Sequence, residues 1–186
     1  MGQAKRNRYA TAMHEASHVV VGLDCGLRPS WCSIVPDASR GYGLALGSTG
    51  WTGTGNVYET VKMLLAGKAA EKRMYASSSA GTGESTQHDL TIIYVMAWWV
   101  TVCSEKFTPH ARLIGLLTDF YHQHPHKVPP RVKRRAEEMI ADLLPDVRDI
   151  LERRWHDVEL IAGLLLTHRR ITPEMIDEVT EAAKVA

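Results

Sequence analysis

His14, Glu15 and His18 are the residues whose types and spacing could do chemistry together. They stand in the run TAMHEASHVVVGL, residues 11–23. Side chains four apart on a helix lie one above the other, so the two imidazoles point the same way. Glu15 follows His14, rotated by about 100° around the axis. Two neutral imidazoles on one face can ligate a divalent metal. In the HExxH arrangement that metal is zinc, which lowers the pKa of its bound water towards about 7, and the glutamate takes the proton. The blander reading is an amphipathic helix that carries two histidines by chance, since five-residue matches of this kind are frequent. The helical context is what favours the chemistry.

A helix is expected from about residue 8 to 24. Tyr9, Ala12, Met13, Ala16, Val19, Val20 and Leu23 recur at helical spacing and form one apolar stripe. The helix should bury that stripe and present both imidazoles from its flank. Gly26 is a stop signal, and Pro29 ends any continuation. Residues 31–52 combine a β-prone run, WCSIV, with turn chemistry and glycines. They read as two or three short strands, a small sheet against the first helix. A second helix is expected over 57–74. Gly67 inside it costs about 1 kcal/mol against alanine and points to close packing.

Residues 77–86 read as a loop. Its GTGEST lacks the lysine of a Walker motif, which excludes nucleotide binding on that pattern. From about Thr86 a helix carries the apolar run LTIIYVMAWWVTVCS, between Asp89 and Glu105. The run falls short of the roughly 18 apolar residues a membrane span needs. It reads as a core helix; the sharper alternative puts Trp98 and Trp99 in a subunit interface. HQHPHKVPP, 122–130, reads as a loop, and its His122, His124 and His126 as surface histidines. Helices follow at about 131–154, 156–168 and 173–184, the last with Thr172 as N-cap before Pro173. The fold class is therefore mainly α with a small β-sheet.

The chain has 186 residues, the size of one compact domain. A net charge of +1 gives no global reason to expect nucleic acid or a membrane surface as partner. The runs KRNR at 5–8 and RVKRR at 131–135 are short and read as solvated surface. Three cysteines without a CxxC pair argue against a disulfide framework and for a reducing compartment. No signal peptide is recognised at the start, and a cytoplasmic location is the expectation.

A catalytic zinc needs three protein ligands and an open position. By residue type, Glu59, Glu71 and Glu84 are candidates for the third. The metzincin extension fails, because Gly22 is one residue late and Cys25 stands near the third histidine position. Four motifs in order fit another pattern: HEASH at 14–18, CSIVPDASRGYGLALG at 32–47, LLAGKAAE at 64–71 and SSAGTGESTQHDLTII at 78–93, followed by a helical tail. Over roughly residues 9–181 the chain resembles the peptidase domain of the FtsH family, ATP-dependent zinc metalloproteases. The resemblance implies a zincin-like metal-site part over 9–106 and a helical part over 107–186. It implies one zinc ion per chain, held by His14, His18 and Asp89, with Glu15 as general base. Asp89 alone would read as an acid favoured by a helix N-terminus.

His88 stands where the family has asparagine, either as a partner to a ligand or as a substrate-side group. The resemblance further implies an extended polypeptide lying along an edge strand, here 42–47 with Gly43, Leu44, Ala45 and Leu46. Ser17 replaces a glycine of the family motif. No Walker motif, ATPase domain or membrane span accompanies the peptidase motifs in this sequence. A separate unfoldase or adaptor would then deliver substrate, unless flexible polypeptides enter unaided. The family's hexameric ring leaves a homo-oligomer open. The expected function is a zinc metallopeptidase. Its rivals are a metal-stabilised binding or adaptor module without proteolysis and a small-molecule metallohydrolase. Glu15 weighs against the module, because a purely structural site needs ligands but no base.

Overall fold

The computed structural model describes residues 3–36, 47–52, 56–75, 83–103 and 111–185. The fold is mainly helical with one small antiparallel sheet. Helix α1 (Gln3–Asp24) runs through its middle. Every residue from Ala10 to Gly22 is buried. This corrects the expected single stripe with exposed flanks: Arg8 and Tyr9 before this stretch and Asp24 after it are exposed, while the stretch itself is covered on all sides. Ala10, Ala12, Ala16, Ser17 and Gly22 are small enough for neighbours to approach from every direction. The Ser17 hydroxyl donates to the Met13 carbonyl one turn back, so the buried hydroxyl is satisfied.

The helix stops at Gly26 for a visible reason. Gly26 has φ +76°, its N–H donates to the Leu23 carbonyl, and the Leu27 N–H donates to that of Gly22 at 2.9 Å. Together these bonds make a Schellman cap, which needs a residue without a β-carbon penalty in the left-handed region. Strand β1 (Arg28–Ser33) follows at once and pairs antiparallel with β2 (Ser48–Thr52) and with β3 (Arg170–Ile171). The order is β2-β1-β3, so β2 is an edge among the described strands.

Helix α2 (Val57–Met74) opens with a capping box. The Asn56 side chain accepts from the Glu59 N–H, and the Glu59 carboxylate accepts from the Asn56 N–H. Helix α3 (Gly83–Cys103) carries the apolar run, with Ile93, Val95, Met96, Ala97 and Trp99 buried and Trp98 half-buried. It begins three residues before the expected Thr86, because a polar first turn has no hydrophobic period to announce it. Helix α4 (Ala111–Gln123) was not anticipated. It places His122 on a helix rather than in a loop, and Pro125–Lys127 form a single 3-10 turn.

Helices α5 (Pro130–Arg153), α6 (Trp155–His168) and α7 (Pro173–Val185) end the chain within a residue of expectation. α6 packs on α1, and α5 on α2 and α3. One apolar core joins Val19 of α1, Leu65 of α2, Ile93 of α3, Leu151 of α5 and Ile161 of α6. The helical tail and the metal-site part therefore share an interior. No described helix is long and apolar enough to cross a membrane.

Candidate metal centre

α1 presents His14 and His18 one turn apart, their ring centroids 4.7 Å from each other and nearly perpendicular. Both are buried, at 1% and 5% exposure. α2 crosses α1 at this level and fixes both rings from behind. The His14 Nδ1 lies 2.8 Å from Glu71 Oε1, and the His18 Nδ1 lies 2.7 Å from the Met63 carbonyl oxygen. A carbonyl can only accept, so the His18 Nδ1 carries the proton and its Nε2 keeps a lone pair. Carboxylate–histidine and carbonyl–histidine pairs of this kind set the tautomer of metal-ligating imidazoles. Gly67 makes the crossing possible, since a β-carbon there would collide with the His14 ring. The close packing expected at Gly67 is thus against the first histidine itself.

α3 brings the third group. Asp89 Oδ2 lies 3.2 Å from His14 Nε2 and 3.4 Å from His18 Nε2. These approaches lack hydrogen-bond geometry, and Oδ2 is a buried oxygen without a hydrogen-bond partner. One nitrogen from each ring and one carboxylate oxygen lie within 4.8 Å of one another, the single such cluster among the described residues. Three acceptors facing each other at a largely buried site repel unless a cation lies among them, a proton or a metal. Two imidazoles and a carboxylate are a donor set that suits a borderline divalent ion, and each imidazole already has its outer partner. The residues fit a metal.

The electrostatics agree. Burial alone would pull His14 down, but Asp89 and Glu71 outweigh it and raise it to about 10. His18 is likewise raised against the effect of burial, chiefly by the Asp89 charge. Burial would push Asp89 up, yet the two imidazoles hold it well below the usual carboxylate range. Without a metal, protons take the cation's place.

Glu15 is 3% exposed and belongs to no ligand pair. Burial pushes its pKa up, while the neighbouring His18 and His14 pull it down. Its Oε2 accepts from the Thr49 hydroxyl at 2.9 Å. On its other side Gly47 comes so near that a β-carbon there would sit 2.7 Å from Oε1. The sequence motif thus becomes two convergent nitrogens with a separately held carboxylate beside them.

Of the other glutamates named by type, Glu71 is behind His14 rather than a third ligand, and Glu59 is spent on the α2 cap. His88 is half-buried, its ring 6.3 Å from that of His122 on α4, and the convergent cluster does not include it. Gly43, Leu44, Ala45 and Leu46 lie outside the described residues; the edge strand that is described, β2, begins two residues later. Sequence reasoning missed Thr49 and the Met63 carbonyl, and named Glu71 only by type, as one candidate for the third ligand. Only Glu71 carried a signal, as an acid on the helix expected over 57–74.

The class of site is a buried His-His-Asp centre with an adjacent non-ligand carboxylate. No family model matches the chain, and no curated protein matches it.

Proposed function

We propose that this chain is a zinc-dependent metallopeptidase acting on unfolded or flexible polypeptides. The observation that carries the reading is the pairing of a convergent His14–His18–Asp89 cluster with a buried carboxylate, Glu15, that ligates nothing. A buried acid outside any ion pair costs stability, and such groups concentrate where chemistry is done. His14 and His18 through Nε2, and Asp89 through Oδ2, would hold the zinc. When bound, zinc polarises a scissile carbonyl and acidifies the attacking water.

The rest falls to side chains of the chain itself. Glu15 receives the proton from the attacking water and hands it to the leaving amine nitrogen. Its Oε2 is engaged by Thr49, so Oε1 is the oxygen that takes the proton. Glu71 and the Met63 carbonyl hold the imidazoles in register throughout. An extended substrate can add to the edge of β2, where backbone hydrogen bonds give affinity with little side-chain preference. That mode demands an unfolded segment, whether it arrives unaided or is delivered by a separate unfoldase or adaptor.

The test is cleavage of fluorescently labelled casein by the zinc-loaded chain and by Glu15→Gln, with zinc content measured in both. Zinc-dependent cleavage that disappears in the variant, at equal zinc content, is the expected result. Zinc bound in both without cleavage in either would leave a metal-stabilised binding module instead.

A further inference from the structure

The β1–β2 register sets Thr49 directly across from Cys32. Their side chains meet: Thr49 Oγ1 lies 3.2 Å from Cys32 Sγ and 2.9 Å from Glu15 Oε2. A threonine hydroxyl has one proton to give and lone pairs with which to accept. The carboxylate oxygen at 2.9 Å is a far better acceptor than the sulfur at 3.2 Å, so the one Thr49 proton belongs to Oε2. The short contact to sulfur must then run the other way, from the thiol to Oγ1. Cys32 is fully buried, and burial, with the Glu15 charge added, pushes its thiol far up, so the sulfur keeps its proton.

We propose that Thr49 is the positioning residue of the general base, held in place by a relay in which the Cys32 thiol donates to Thr49 and Thr49 donates to Glu15. The proposal rests on the peptidase reading for its consequence, though not for its geometry. A carboxylate beside a cationic cluster is drawn towards it. The Thr49 hydroxyl ties Oε2 to the sheet and keeps Glu15 from collapsing onto the ligands. Gly47 supplies the other half of the arrangement, since its missing side chain leaves room at Oε1. Glu15 is therefore aimed by the same edge strand on which a substrate would pair. Chains of hydrogen bonds in a low-dielectric interior polarise one another, which adds stiffness to the restraint.

Two readouts test it on the full chain. The first needs neither metal nor activity: the infrared S–H stretch of Cys32, isolated by subtracting the spectrum of Cys32→Ala. It should sit at a hydrogen-bonded frequency in the wild type, move to that of a free thiol in Thr49→Val, and stay bonded in Thr49→Ser. An unchanged band in Thr49→Val overturns the relay. The second is kinetic. Thr49→Val should lower kcat about 10- to 100-fold, as misplaced bases do, with KM and zinc content close to wild type. Thr49→Ser should restore kcat. An active wild type whose Thr49→Val variant keeps full kcat, or is not rescued by serine, overturns the positioning role. A wild type without activity refutes the peptidase reading instead, and the infrared band still decides the relay. Should Thr49→Val fail to fold, Thr49→Ala compared with Thr49→Ser gives the same contrast.

Discussion

The metal centre and the helical tail solve the same problem, a stable interior, by opposite means. In α5 to α7 the chain buries Val132, Ile150, Leu151, Ile161 and Leu165, and local signals set the boundaries. Pro130 and Pro173 open two of the helices, and Arg169 in the left-handed region closes the third. At the metal centre the buried atoms are polar, and their partners come from distant sequence: 57 residues for His14 with Glu71, 45 for His18 with Met63, 34 for Glu15 with Thr49. One region is held by area removed from water; in the other, polar side chains are positioned by partners from distant sequence around acceptors that call for a cation. The tail should therefore tolerate conservative change, while the centre should not.

The largest effect is expected from pH. In the metal-free protein His14 is raised from 6.5 to about 10 by groups it meets only when folded. Its protonated form therefore favours the folded state. That contribution is full below the unfolded value and is lost as pH rises through about 10. Unfolding midpoints in urea, followed for the metal-free chain between about pH 6.5 and 10, should fall continuously. Zinc binding must displace the same protons, so affinity should rise over the same window. A flat stability profile would mean that the acceptors do not confront one another as the geometry has it.

Next in size is Glu71→Gln. The glutamine oxygen can still accept from His14 Nδ1, so that bond and the side-chain shape are kept while the charge beside the imidazole is lost. Zinc affinity, measured by competition with a chelator, should drop about 10- to 100-fold, the usual range for an outer partner of a metal ligand. The same exchange at exposed Glu152 in α5 should leave zinc affinity unchanged and alter stability by no more than about 0.5 kcal/mol. Equal behaviour of the two variants would erase the distinction between the regions.

The contrast also explains what could be read in advance. The C-terminal helices, the α2 span and the stop at Gly26 follow from caps and period, which are local. β3 is two residues long and has no alternation to detect. α4 was hidden because the apolar run before it and the proline loop after it absorbed its pattern. His14, Glu15 and His18 are legible because one helical turn fixes their relation. Asp89 has no spacing rule to tie it to them and was reached only through a family resemblance. Thr49 was invisible, since nothing local says that a threonine on a short strand will meet a carboxylate on a helix. Glu71 was visible as an acid but not as to which side of the imidazole it takes.

The smallest and sharpest test is a pair of helical glycines. Gly163 in α6 is exposed, and a β-carbon there meets nothing within 4 Å. Gly163→Ala should stabilise the protein by about 0.5–1 kcal/mol, the helix propensity difference alone. Gly67→Ala gains the same propensity but drives a methyl into the His14 ring. Overpacking of this kind costs about 1–3 kcal/mol, so the net effect in urea should be a loss. A displaced ring also carries Nε2 away from Asp89, so zinc affinity should fall along with stability, whereas Gly163→Ala should leave it untouched. If Gly67→Ala proved as stabilising as Gly163→Ala and bound zinc normally, α2 would not lie against the first histidine.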